Sequence, residues 1–161
     1  MDVFDEELLK FWKSLEKHQV VYIMVGGVAT NLNGYQRSTE DIDMWIEDTI
    51  ENREKLRAAF LTCEMGNYSM ISKMQFVPGW TYFHLNNGMR LDIMTSMMGL
   101  ENYTIHECLE LSFVAEIDGT KIPFLNINQL IENKKAVNRP KDQLDVIYLE
   151  KIKNLSKQNP G

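Results

Sequence analysis

Divided into its α and β stretches, the sequence makes an α/β (α+β) architecture: a mixed β-sheet with helices mainly on one side and a small helical portion at the C-terminal end. Three features lead there. Short β-branched and aromatic runs, too brief for helices, recur along the chain. Asn-Gly and Asp-Gly steps mark two hairpins, and helical periodicities separate the strands instead of leaving them contiguous.

From Asp5 to His18, the residues Leu8, Leu9, Phe11, Trp12 and Leu15 recur at helical spacing among charges, which describes an amphipathic helix. Val20 to Val25 is uniformly apolar and reads as a central strand buried on both faces. Gly26-Gly27 ends it, and Val28 to Asn33 makes a short helix stopped by Gly34. After a turn through Tyr35 to Thr39 comes a second strand, Asp41 to Ile46. Asp48 or Thr49 caps a helix running to about Leu61, with Ile50, Leu56, Ala59 and Phe60 inward and Glu51, Arg53, Glu54, Lys55 and Arg57 mostly outward.

Cys63 to Val77 carries no clear pattern. Pro78-Gly79 precede a hairpin in which Asn86-Asn87-Gly88 joins Trp80–Leu85 to Met89–Met94. A helix near Glu101 to Leu111 leads to a second hairpin, with Asp118-Gly119 between Phe113–Ile117 and Lys121–Leu125. Asn128 to Val137 is helical, Arg139-Pro140 breaks it, and a last helix runs from Asp142 to about Leu155. No repeat or linker divides the chain, so residues 1–161 read as one domain, with a sheet over about 20–125 and helices over about 128–155.

The chain has 17 Lys+Arg against 23 Asp+Glu, a net charge of −6, which argues against a broad phosphate-gripping face. A 44% hydrophobic content is enough for a buried core without cross-links. The longest apolar run, Val20 to Ala29, falls well short of the roughly 20 residues a membrane helix needs. The acidic opening Met1 to Glu7 lacks the basic start of a secretory signal, so the expected location is cytoplasmic. Cys63 and Cys108 lie far apart and fit free thiols in a reducing compartment, although one bridge stays open.

Three features bear on chemistry: Gly26-Gly27 after a buried strand, Asp41-Ile42-Asp43 opening the next, and Asp92 in a later hairpin strand. Alternate strand residues share a face, so Asp41 and Asp43 project together, roughly 6 to 7 Å apart, within reach of one divalent cation. The plain alternative is a solvated strand edge. The glycine pair is either a tight turn into a helix or a side-chain-free backbone that a phosphate can approach. The 13 residues from Val28 to Glu40 are a short connection, which suits neighbouring strands that bring glycines and acids together. His84, His106 and Cys108 lack ligand spacing, because consecutive helical positions point apart. Met89, Met94, Met97 and Met98 surround the third acid as core filler or as an adaptable pocket, and Trp80, Tyr82 and Phe83 read as hairpin packing or, for one ring, a stacking surface.

The run Val25-Gly26-Gly27-Val28-Ala29, then Gly34, Arg37-Ser38-Thr39 and Asp41-Ile42-Asp43, with Asp92 later, resembles the DNA polymerase β-like nucleotidyltransferase superfamily. It is most similar to the branch containing lincosamide nucleotidyltransferases and abortive-infection toxin nucleotidyltransferases. The C-terminal run Asn128-Gln129-Leu130-Ile131, Lys134, Arg139-Pro140-Lys141-Asp142 and Asp145 matches a second pattern of that branch. The resemblance covers roughly residues 20 to 150. It implies a nucleotidyltransferase fold and a Mg²⁺-dependent transfer of a nucleoside monophosphate from a nucleoside triphosphate (NTP) to a hydroxyl, releasing pyrophosphate.

By the same resemblance, Asp41, Asp43 and Asp92 are the catalytic acids and the ligands of two Mg²⁺ ions, with Gly26 and Gly27 against the phosphates. Lys134, Arg139 and Lys141 are candidates for neutralising the triphosphate, and Arg37 and Thr39 belong to the nucleotide-binding turn; for each lysine the plain alternative is a solvated helix face. Asp142 and Asp145 tie the C-terminal helices to the sheet. The expected partners are an NTP and an acceptor hydroxyl on a small molecule, an RNA end or a protein. The alternatives are a catalytically degenerate module that binds nucleotide or a partner protein, and a glycosyltransferase using Asp-x-Asp. Minimal antitoxin nucleotidyltransferases typically carry Gly-Ser and an Ala-Arg-Gly element, from which Gly26-Gly27 and Val28-Ala29-Thr30 depart.

Overall fold

The computed structural model describes residues 5–76 and 79–158; the opening Met1 to Phe4 and the Val77-Pro78 step before the first hairpin lie outside them. In chain order the elements are α1 (Glu6–Lys17), β1 (Tyr22–Val25), α2 (Gly26–Leu32), β2 (Asp41–Ile46), α3 (Ile50–Thr62), α4 (Met70–Lys73), β3 (Trp80–His84), β4 (Arg90–Met94), α5 (Ile105–Leu111), β5 (Phe113–Ile117), β6 (Thr120–Phe124), α6 (Ile127–Val137) and α7 (Pro140–Gln158). The strands form one six-stranded sheet in the order β3-β4-β2-β1-β6-β5. It is mixed: β1 with β6 and β2 with β4 are parallel, and the other pairs are antiparallel.

The amphipathic N-terminal helix forms because Asp5 caps it, its carboxylate accepting from the amides of Glu7 and Leu8, while Leu8, Phe11, Trp12 and Leu15 are fully buried. They pack with Leu56, Ala59 and Phe60 of α3 in one core, the Phe11 ring tilted on Phe60 and the Phe60 ring edge to face with Phe83 of the sheet. Asn52 stitches α3 to β1 by accepting from the Val21 amide at 2.7 Å and donating to the Val21 carbonyl at 2.9 Å. Cys63 and Cys108 are buried free thiols. Among the described residues no helix is long and apolar enough to cross a membrane.

Four sequence expectations are corrected. Ile50 is 74% exposed: Thr49 caps α3, so Ile50 is its first helical residue and lies outside the packed face. Arg53 is buried rather than outward, donating to Asp48 at 2.7 Å and to the carbonyls of Ile71 and Met74, with its guanidinium 4.1 Å from the Phe76 ring. These contacts order the stretch whose pattern was unclear, which contains the single-turn helix α4. The short helix begins at Gly26 itself instead of Val28. Finally, the expected break falls at Asn138-Arg139, and α7 begins at Pro140 instead of Asp142, since the first helical position has no use for an amide hydrogen.

Candidate active site

The sheet register assembles the acids. Val25 pairs with Asp43, Asp43 with Asp92, and Asp92 with Tyr82, so one row of side chains crosses β1, β2, β4 and β3 on a common face. Asp41 stands two residues before Asp43 on that face and pairs with Arg90, while Ile42, Leu91 and Ile93 point into the core. These acids line a cleft of about 410 Å³ together with Gly26, Trp80, Arg90 and Met94.

The opposite wall comes from the α6–α7 turn. Asn138 adopts a left-handed conformation at the end of α6, and the chain re-enters a helix at Pro140, which turns Arg139 and Lys141 into the cleft. Asn133 and Val137, one helical turn apart, complete this wall. Gly99 lets the Met97–Met98 loop approach α6, where a side chain would collide with Ala136 and the Glu132 carbonyl, and Asn133 donates to the Met98 carbonyl at 2.9 Å.

Burial first, then the neighbouring Asp92 and Asp41 carboxylates, push the Asp43 carboxyl up to about 6. Arg90 donates to Asp92 at 2.8 Å, and its guanidinium lies 4.3 Å from the Tyr82 ring and 5.8 Å from the Trp80 ring. Among the described residues no three His, Cys, Asp or Glu side chains form a ready-made metal cage. Mg²⁺ is usually held by one or two carboxylates and completed by substrate phosphates and water. Hard carboxylate oxygens, one of them raised in pKa first by burial and then by like charges, fit such an ion.

The residues expected at the site divide into two groups. Asp41, Asp43, Asp92, Gly26, Arg139 and Lys141 share the cleft. Gly27 and Thr39 lie behind it, packed on each other so closely that a Cβ on Gly27 would overlap Thr39, whose hydroxyl donates to the Asp41 carbonyl. Lys134 and Arg37 are outside the cleft lining and committed elsewhere. Lys134 is buried, 2.7 Å from Asp145 and 3.8 Å from Asp142, and Arg37 grips the same Asp145 through two bonds of 2.8 Å. Burial pushes the Asp145 carboxyl up, but bonds from Arg37 and Lys134 more than offset it and leave its pKa below the usual range. Met94, Met97 and Met98 line the cleft, whereas Met89 packs on the core.

Arg90 escaped the sequence reading, although its i, i+2 spacing from Asp92 already put it on the acidic face. Gly26 is tightly constrained: its φ is +60°, and a Cβ there would fall inside the Asp43 carboxylate. Gly26→Ala is therefore expected to displace Asp43 and to lower transfer by roughly 100-fold, with a loss of about 1–2 kcal/mol in denaturant unfolding. Urea titration and turnover of the purified variant check both.

This arrangement is the nucleotidyltransferase fold. The lincosamide antibiotic adenylyltransferase LnuA, solved with lincomycin, matches with a TM-score of 0.63 at 18% identity, covering 94% of this chain and 99% of that one. ANT(2″)-Ia, in complex with adenylyl-2″-tobramycin, matches with a TM-score of 0.56 at 18% identity over 94% and 93% of the two chains. An antigenic nucleotidyltransferase-like protein from Paracoccidioides brasiliensis matches with a TM-score of 0.52 at 16% identity over 96% and 86%. No curated protein sequence matches the chain. The chain belongs to the family described as "Nucleotidyl transferase of unknown function (DUF2204)", whose sequence pattern matches residues 4–159. Family membership makes it a nucleotidyltransferase and sets aside the glycosyltransferase alternative.

Proposed function

We propose that this chain transfers a nucleoside monophosphate from an NTP to an acceptor hydroxyl with the help of Mg²⁺, and releases pyrophosphate. The observation that carries the reading is the facing of Asp41, Asp43 and Asp92 by Arg139 and Lys141 across one cleft. A triphosphate needs both kinds of partner, metal-binding carboxylates and cationic side chains.

In the reaction, the acceptor oxygen bonds to the α-phosphorus and gives up its proton. The bond from that phosphorus to the bridging oxygen breaks, and its electron pair leaves with pyrophosphate. Asp41 and Asp43 would hold the metal at the triphosphate, and Asp92 the metal on the acceptor side. When bound, Mg²⁺ supplies Lewis-acid charge at the attacking and leaving oxygens. Arg139, oriented by Asp142 through bonds to its Nε at 2.6 Å and its backbone amide at 3.1 Å, and Lys141 neutralise phosphate oxygens. The missing side chain at Gly26 leaves room for the Asp43 carboxylate. Lys134 and Arg37 act through Asp145 and Asp142, as supports rather than phosphate ligands. A triphosphate-using enzyme with buried free thiols suits the cytoplasm.

Thermal unfolding with each of the four ribonucleoside triphosphates, with and without Mg²⁺, tests the reading without knowledge of the acceptor. Ligand at 100 times its Kd adds about 2.7 kcal/mol, expected to raise the midpoint by about 5 °C or more. The shift is expected to need Mg²⁺ and to weaken in Asp41→Asn. No shift with any triphosphate would favour the degenerate partner-binding module instead.

A further inference from the structure

The acceptor end of the cleft has a composition of its own. Among the described residues, the cleft lining carries carboxylates at Asp41, Asp43 and Asp92 only, and cations at Arg90, Arg139 and Lys141. Under the proposed function the three carboxylates serve metal and the last two cations serve phosphate. The rest of the lining includes Arg90, Trp80 and the thioethers of Met94, Met97 and Met98, with Ser96 and Asn133 as neutral polar groups. Among the described lining residues no further carboxylate is left to receive an ammonium group, and Arg90 places a positive charge there.

The aromatic side is equally specific. Trp80 and Tyr82 stand on the outer face of edge strand β3, 44% and 51% exposed, with the Arg90 guanidinium against both rings. Large half-exposed rings beside a reaction centre offer flat apolar area at little conformational cost, and the neighbouring methionines adapt to whatever lies on them. A net charge of −6 argues against a broad basic face of the kind that grips a nucleic-acid strand.

Resting on the nucleotidyl-transfer reading above, we propose that the acceptor is an uncharged hydroxyl compound whose flat ring stacks on Trp80, and that Arg90 excludes polycationic acceptors. This sets the chain apart from ANT(2″)-Ia, whose structure holds adenylylated tobramycin.

Trp80 supplies its own readout, because Trp12 and Trp45 are buried and iodide quenching of tryptophan emission therefore reports Trp80. The protein is first saturated with Mg²⁺ and the α,β-methylene analogue of the triphosphate that raised its unfolding midpoint. Phenyl β-D-galactoside, methyl β-D-galactoside and tobramycin are then added at equal millimolar concentration. The phenyl compound is expected to at least halve the quenching constant, while the methyl compound and tobramycin leave it unchanged. In Arg90→Glu tobramycin is expected to protect Trp80 as well. Protection of the wild-type protein by tobramycin, or a phenyl compound no better than the methyl one, would overturn the proposal while leaving nucleotide binding intact. Failure of every triphosphate in the preceding experiment would instead remove the nucleotidyl-transfer reading and this inference with it.

Discussion

Asp43→Asn is expected to lower nucleotidyl transfer by roughly 1,000-fold or more and yet to leave the metal-free protein at least as stable. The two effects have one cause. Asp43 sits between Asp41 and Asp92 in a half-buried row, and burial followed by those like charges pushes its carboxyl up to about 6. Such a group costs stability when ionised, and a bound cation relieves that cost. The sign follows from proton binding. Between the ordinary carboxylate range and about pH 6 the folded protein holds a proton at Asp43 that the unfolded chain has released. Stability therefore falls as pH rises through that window, by an amount on the order of 2–3 kcal/mol. Asp43→Asn removes this contribution, so its unfolding midpoint is expected to exceed that of the metal-free wild type at pH 7 and to converge with it near pH 4. A midpoint below wild type at pH 7, in chelator-treated samples, would contradict the electrostatic account of the site.

Much of this site was legible because its logic is local. Alternation on β2 put Asp41 and Asp43 on one face and Ile42 in the core, and the short connection after Gly26-Gly27 made β1 and β2 neighbours. The Asn-Gly and Asp-Gly turns marked both hairpins, which the structure forms with β3 and β4 and with β5 and β6. What escaped depends on partners distant in sequence. A lysine on an amphipathic helix looks the same whether water or a buried carboxylate awaits it, and Lys134 meets Asp145 only after α7 folds back on α6. Arg37 meets that carboxylate across 108 residues. Arg53 was misassigned for the same reason, since its acceptors at Ile71 and Met74 lie in a segment with no periodicity of its own. Arg90 and Trp80 were readable as strand residues, but their part in a cleft required the register of β3 on β4 and the approach of the α6–α7 turn.

Lys134→Met separates a supporting lysine from a phosphate-binding one. Lys134 Nζ lies between the carboxylates of Asp145 and Asp142, and all three side chains are buried. Taking away the central cation leaves two buried carboxylates held by Arg37 and Arg139 alone. Breaking a buried pair in this way costs about 3–5 kcal/mol, which for a chain of this size is a fall of roughly 10 °C in the unfolding midpoint. Below that midpoint the affinity for NTP with Mg²⁺ is expected to stay within about threefold of wild type, since 1.4 kcal/mol is tenfold and the acids, Arg139 and Lys141 still line the cleft. A direct phosphate contact predicts the opposite signature, a loss of affinity of tenfold or more with little change in stability. The double variant Lys134→Met/Asp145→Asn sharpens the distinction, because it removes one stranded charge together with its partner. It is expected to be more stable than Lys134→Met alone, a sign that an energetic coupling between the two side chains requires and that a lysine serving only the ligand does not produce.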